Sequence, residues 1–176
     1  MWSGLLWQIT KIVMHDQLQF KHKILFVCTG NICRSPSAEG VFRKMIEEHE
    51  SFDCSIYIDS CGTHSYHIGQ SPDVRAQHAA VNRGIDISKQ MARQIEADDF
   101  DFFDYILVMY NFNLNVVHSM VDETYRSKIH LFLDYAELNE YKEVPDPYYG
   151  GEGGFEIVLD LLEQASIGLI KHLQSH

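Results

Sequence analysis

The spacing of apolar positions changes several times along the chain, and each change predicts an element. Ile24-Leu25-Phe26-Val27 is a short unbroken apolar run, the pattern of a strand buried on both faces of a parallel sheet. After Pro36, the residues Ala38, Val41, Phe42, Met45 and Ile46 recur every three or four positions with Glu39, Arg43, Lys44 and Glu47 between them, which predicts an amphipathic helix. Alternation from Cys54 to Asp59, with Ile56 and Ile58 set against Ser55 and Tyr57, predicts a second strand running into a turn at Ser60-Cys61-Gly62-Thr63. Helical spacing from Pro72 to Arg83 ends at Gly84, a residue suited to the left-handed backbone that stops a helix. Tyr105 to Met109 is another buried-strand run, followed by a helix from about Asn113 to Met120 and a weaker strand at Ile129 to Phe132. Phe155, Val158, Leu159, Leu162, Ile167, Leu169, Ile170 and Leu173 then predict a long closing helix. Strands separated by helices imply right-handed βαβ units and a parallel sheet, so the expectation is one α/β domain over residues 23–176.

The first 22 residues do not fit this pattern. Trp2, Leu5, Leu6, Trp7, Ile9, Ile12, Val13 and Met14 make an apolar stretch, but it is broken by Lys11 and falls short of the ~20 residues a membrane helix needs. It also lacks the basic start and small-residue cleavage site of a secretory signal. Residues 1–22 are therefore expected outside the fold, with no stable membrane insertion. They are read first as a disordered extension or the result of an upstream start with Met14 as the true first residue, and second as an interfacial helix.

Composition narrows the function. A length of 176 residues with 45% apolar content can build one core without disulfides or structural metals. A net charge of -11 argues against nucleic acid as a partner, and any anionic substrate would need a local positive field. The four cysteines, Cys28, Cys33, Cys54 and Cys61, all lie early in a chain too large for a disulfide-stapled miniprotein, which points to a reducing, cytoplasmic setting. His64 and His67 read as solvated turn residues, and the ten histidines show no ligand constellation.

The local positive field has an obvious candidate in Cys28-Thr29-Gly30-Asn31-Ile32-Cys33-Arg34-Ser35, which joins the first strand to the first helix. Ligands in open parallel sheets bind at the carboxyl ends of strands, where a helix start offers unpaired amides. With Cys28 at the strand end and Arg34 six positions later, the loop can wrap its amides around phosphoryl oxygens while the guanidinium binds two of them. The same donors stabilise a thiolate over a thiol, so Cys28 is the expected nucleophile. Ser35 is placed to hydrogen-bond that sulfur and help it leave, Asn31 to take a left-handed backbone, and Gly30 to allow close approach.

A thiolate can attack phosphorus, but the departing alkoxide or phenolate needs a proton from a general acid. Asp146 is the candidate: Pro145 and Pro147 stiffen its segment, and Tyr148-Tyr149 follow as aromatic walls suited to an aryl phosphate. The same carboxylate would serve as base for the water that hydrolyses a phosphocysteine, and no metal or cofactor is called for.

Together these segments resemble the low-molecular-weight protein tyrosine phosphatases, bacterial-type members most closely. That family shares a C-x5-R-[ST] loop near its N-terminus and a D-P-Y-Y segment near its C-terminus. The likeness spans roughly residues 23–173, including Ser35-Pro36 with Ala38-Glu39, the Ser60-to-Gly69 turn and Ala92-Arg93-Gln94. It implies a three-layer sandwich with a four-stranded parallel sheet in order 2-1-3-4, Cys28 as nucleophile, Arg34 as phosphate binder and Asp146 as acid. It also implies that Ser60 hydrogen-bonds Asn31, and that Cys33 can close a reversible disulfide with Cys28; simple loop packing is the equal alternative for Cys33. Tyr66 stands where many members carry a tryptophan on the pocket wall. Gln90 replaces a usual loop-supporting histidine, and Met109-Tyr110 replaces a common Met-Asp pair.

The implied activity is hydrolysis of phosphotyrosine in proteins, with inorganic phosphate as product and inhibitor. Arsenate reduction on the same fold needs further cysteines, and none follows Cys61. Protein arginine phosphatases are the nearer rival, but those relatives carry threonine where Ile32 stands and phenylalanine in the general-acid segment. A non-catalytic phosphate-binding module would have no need of Cys28, Ser35 and Asp146 together.

Overall fold

The structure is a computed structural model that describes residues 20–49, 56–137, 140–149 and 153–175, without the side chain of Tyr149. The readings of residues 1–19, and of Cys54 and Ser55 at the start of the second strand, lie outside the described residues.

Strand β1 (His22–Cys28) is the centre of the sheet, pairing in parallel with β2 (Ile56–Gly62) on one side and β3 (Tyr105–Val108) on the other. Strand β4 (Ile129–Leu131) adds to β3, giving the order β2-β1-β3-β4, all parallel, as the family likeness implied. Ile24, Leu25, Phe26 and Val27 are all completely withdrawn from solvent, which is why β1 reads as an unbroken apolar run. Alternate residues serve opposite layers. Ile24 and Phe26 pack with Val41 and Phe42 of α1 (Arg34–Glu47), Ala76 and Ala80 of α2 (Val74–Asn82), and Leu162 and Leu169 of the closing helix. Leu25 and Val27 pack on the other face with Phe100 of α3 (Ala97–Phe102), Phe103, and Val117 of α4 (Asn111–Ser119). A one-turn helix α5 (Glu123–Arg126) precedes β4, and α6 (Gly154–Ser175) closes the chain. No helix among the described residues is long and apolar enough to cross a membrane.

Some boundaries differ from expectation. The first strand begins at His22, and Phe20 already packs edge-on against Tyr57 at 5.2 Å, so the fold takes in chain slightly before residue 23. β2 continues through Ser60-Cys61-Gly62, predicted as a turn, because Phe26, Val27 and Cys28 hold these residues in parallel register. Gly62 belongs in that strand for a steric reason: a Cβ there would lie 2.7 Å from the Thr29 carbonyl oxygen, so the catalytic-loop candidate could not rest against β2. Gly84 ends α2 as predicted, with φ of 72°.

Candidate active site

Loop 28–35 leaves the carboxyl end of the central strand and runs directly into α1. Its carbonyls are taken from outside: Thr63 N donates to Cys28 O (2.8 Å), His64 N to Thr29 O (2.9 Å) and Asp73 N to Ile32 O (2.7 Å). C=O and N–H of a trans peptide point in opposite directions, so these contacts turn the amides of Thr29, Gly30 and Cys33 toward the inside of the loop. The Cys28 sulfur receives two hydrogen bonds, from Asn31 N (3.2 Å) and from the Ser35 hydroxyl (3.0 Å).

Asn31 fixes the loop. It holds the left-handed φ of 55° expected for it, and its side-chain amide donates to Ser35 Oγ (2.9 Å) and Ser60 Oγ (3.0 Å). Its carbonyl accepts from the backbone amide of Arg93 (2.9 Å). The Ser60 contact is the one the family likeness implied. Because Ser60 accepts from Asn31, its own proton goes to Glu39 Oε2 on α1 (2.8 Å), and Arg43 donates to the other oxygen of that carboxylate (3.0 Å). Glu39 is nearly buried, and its pKa is raised by desolvation and then by Asp59. Gln90, which stands where the family likeness implies a loop-supporting histidine, has its Oε1 buried without a partner among the described residues.

Arg34 is 5% exposed and brings its guanidinium to Asp146, with Nη2 3.0 Å from Oδ2, and to the Val144 carbonyl at 3.4 Å. The Asp146 side chain is 44% exposed, and its other oxygen accepts from Tyr148 N at 3.0 Å, an Asx-type turn that starts the short 3-10 segment Pro147–Tyr149. Cys28, Thr29, Gly30, Ile32, Cys33, Arg34, Tyr66, Asp146 and Tyr148 thus line one cleft of about 350 Å³. Tyr66 and Tyr148 are exposed on its rim, while the side chain of Tyr149 lies outside the described residues.

Cys33 lines the same cleft but is chemically different. Burial first, and the Asp73 carboxylate second, push its thiol up to about 12. Cys28, Cys33 and Cys61 are all free thiols.

Three residues enter the site that the sequence did not single out for it. His67 also lines the cleft, so close to Gly30 that a Cβ there would lie 2.9 Å from the imidazole. It was expected to be a solvated turn residue, as was His64, which stacks on Tyr66 at 5.1 Å. Glu39 was visible as a polar position on a helix and within the Ala38-Glu39 pair of the family likeness, but nothing local marks it as the partner of Ser60.

Residues 23–176 match the sequence profile described as low molecular weight phosphotyrosine protein phosphatase. The chain belongs to this family. It is accordingly a phosphatase of the protein tyrosine phosphatase class, which agrees with a cleft built around a cysteine and an arginine on one loop. A low molecular weight protein-tyrosine-phosphatase of Bacillus subtilis is 38% identical over 151 residues, covering 86% of this chain and 95% of the relative. The crystal structure of a protein tyrosine phosphatase from Entamoeba histolytica, with Hepes in its active site, superposes with a TM-score of 0.83 at 42% identity, covering 88% of this chain and 98% of the other. The Drosophila arginine phosphatase superposes with a TM-score of 0.78 at 32% identity, over 85% and 96% of the two chains. The fold is therefore shared with both a protein tyrosine phosphatase and an arginine phosphatase.

Proposed function

We propose that the enzyme hydrolyses phosphotyrosine in proteins, and small aryl phosphates, in two steps through a phosphocysteine on Cys28. The observation that supports this best is the meeting of three groups in one cleft: a cysteine sulfur holding two hydrogen-bond donors, and an arginine and a carboxyl group joined at 3.0 Å.

Arg34 and the loop amides bind the phosphoryl oxygens, and the arginine's in-plane donors pass from Asp146 to the substrate. The Cys28 sulfur attacks phosphorus, forming an S–P bond as the P–O bond to the tyrosine breaks. Asp146, carrying a proton, gives it to the leaving phenolate oxygen. Water then attacks phosphorus, Asp146 takes its proton, and the S–P bond breaks to release inorganic phosphate and the thiolate. The Ser35 hydroxyl stabilises that departing sulfur. Thr29, Gly30, Asn31, Ile32 and Cys33 shape the phosphate cradle, with Ser60 supporting Asn31 from β2. Inorganic phosphate fits the same cradle and should inhibit competitively. A reducing, cytoplasmic compartment would keep Cys28 as the free thiol this route needs.

Tyr66 and Tyr148 supply aromatic walls for a phosphotyrosine ring, and Tyr149 follows Tyr148 in the chain. The likeness to an arginine phosphatase supports a second reading, phosphoarginine hydrolysis. Ile32 in the loop and Tyr148 on the rim weigh toward phosphotyrosine. Offering phosphotyrosine, phosphoarginine and phosphoserine peptides side by side, and measuring kcat/KM for each, separates the readings. The highest value should be for phosphotyrosine, and a preference for phosphoarginine would reverse the assignment.

A further inference from the structure

Tyr110 follows β3 and meets the candidate site at two points. Its ring faces the Arg34 guanidinium, whose central carbon is 4.7 Å from the ring centroid. Its hydroxyl lies 3.1 Å from Thr29 Oγ1, on the same loop. A guanidinium has two kinds of contact available: N–H donors directed in its plane, and a π face. In this site the donors go to Asp146 and to the Val144 carbonyl, and the face goes to Tyr110. A ring on the face occupies none of the donors that a phosphoryl group requires.

The ring also meets a run of other rings. Tyr110 stacks on Phe112 with centroids 5.9 Å apart and planes 21° apart, and Phe112 stacks on His64 at 6.1 Å and 15°. His64 in turn stacks on Tyr66, the cleft wall, at 5.1 Å and 20°. The column therefore runs from the buried arginine to the exposed rim. Phe112 is 49% exposed, so burial alone does not account for an aromatic residue there.

We propose that Tyr110 is a positioning residue for Arg34. Its ring grips the guanidinium by the face and keeps it in place while the in-plane donors pass from Asp146 to a phosphoryl group and back. This rests on the reading of Arg34 as the phosphate binder. The contact should serve bound substrate and transition state alike, so its loss should raise KM more than it lowers kcat.

The test compares Tyr110→Leu, Tyr110→Phe and phenylalanines of increasing ring fluorination at position 110. For each, inhibition by inorganic phosphate and the kcat and KM for an aryl phosphate are measured, with thermal unfolding to confirm folding. Leucine should weaken phosphate inhibition about tenfold, while phenylalanine, which keeps the face and loses only the Thr29 bond, should stay within about threefold. Fluorination removes electron density from the ring face at nearly constant shape, so phosphate binding should weaken stepwise along the series, which a packing role would not produce. The fluorinated series also decides the matter if the leucine variant does not fold. Flat phosphate affinity along that series would overturn the proposal. Arg34→Met serves as control: if it abolishes phosphate binding while the Tyr110 series is flat, only the role of Tyr110 falls. If Arg34→Met binds phosphate like the unaltered enzyme, the reading of Arg34 falls and the proposal falls with it.

Discussion

The two segments that meet at the cleft are held in opposite ways. In loop 28–35, Cys28, Asn31, Arg34 and Ser35 are each at most 5% exposed, and Asn31 alone joins Cys28, Ser35, Ser60 and the Arg93 backbone. Asp146, by contrast, is exposed and is tied by one ion pair and one backbone amide. The difference matches the two tasks assigned to them. A nucleophile must return to the same position after each turnover, and hydrogen bonds between buried groups keep it there. A general acid must hand over a proton and recover one from water, so it needs solvent and a partner that a phosphoryl oxygen can displace.

That contrast can be tested by variants that affect one segment and spare the other. The largest effect belongs to Cys28→Ser, which should lose turnover while still binding a phosphate analogue, as followed by kinetics and by calorimetry with vanadate. Asp146→Ala should lower kcat by about 10²–10⁴ with poor leaving groups and far less with good ones, so a plot of rate against leaving-group acidity should steepen. Its stability should stay within about 1 kcal/mol of the parent, because the Asp146 end of the pair is exposed and water can take the carboxylate's place beside the buried Arg34. Asn31→Ala should behave in the reverse manner, costing about 1–3 kcal/mol in denaturant unfolding, since it strips partners from buried Ser35 and Ser60. Equal stability losses in Asn31→Ala and Asp146→Ala would break the comparison.

Two finer predictions come from titration. With its thiol pushed up to about 12, Cys33 should resist iodoacetamide at pH 7 while Cys28 is alkylated, as peptide mapping would reveal. Glu39 has a folded-state pKa raised above its ordinary 4.5, chiefly by burial. The folded protein then holds that proton more tightly than the unfolded chain does. The stability contributed is complete below the ordinary value and is lost as pH rises through the raised one. Glu39→Gln should therefore gain stability relative to the parent as pH rises from about 4.5 toward neutrality, and a difference independent of pH would remove Glu39 from the account.

Much of this architecture was legible because its signals are contiguous. β1 and β3 are unbroken apolar runs since both faces are covered, and α1 and α6 are long enough for their period to show. α3 and α5, with six and four residues, are too short to display one. The end of β2 was misread because Ser60 and Gly62 carry turn propensity, whereas their neighbours in register, Phe26 and Cys28, keep them in the sheet. The site divides in the same manner. Cys28, Arg34 and Ser35 share a single loop, and the two prolines around Asp146 drew attention to that segment. Glu39, His67 and Tyr110 reach the loop from α1, from the segment after β2 and from the end of β3, and only the folded topology brings them together. Tyr110 stood out in the sequence merely as a departure from a common pattern, whereas in the fold its ring lies over Arg34.

The central claim, a phosphocysteine on Cys28 released with the help of Asp146, is tested most directly by trapping that intermediate. Asp146→Ala would be mixed with p-nitrophenyl phosphate, whose leaving group needs little protonation, quenched rapidly, digested and mapped by mass spectrometry. The account predicts a burst of nitrophenolate and one added phosphoryl group on the peptide carrying Cys28. Turnover with no adduct on Cys28, or an adduct on another residue, would contradict it.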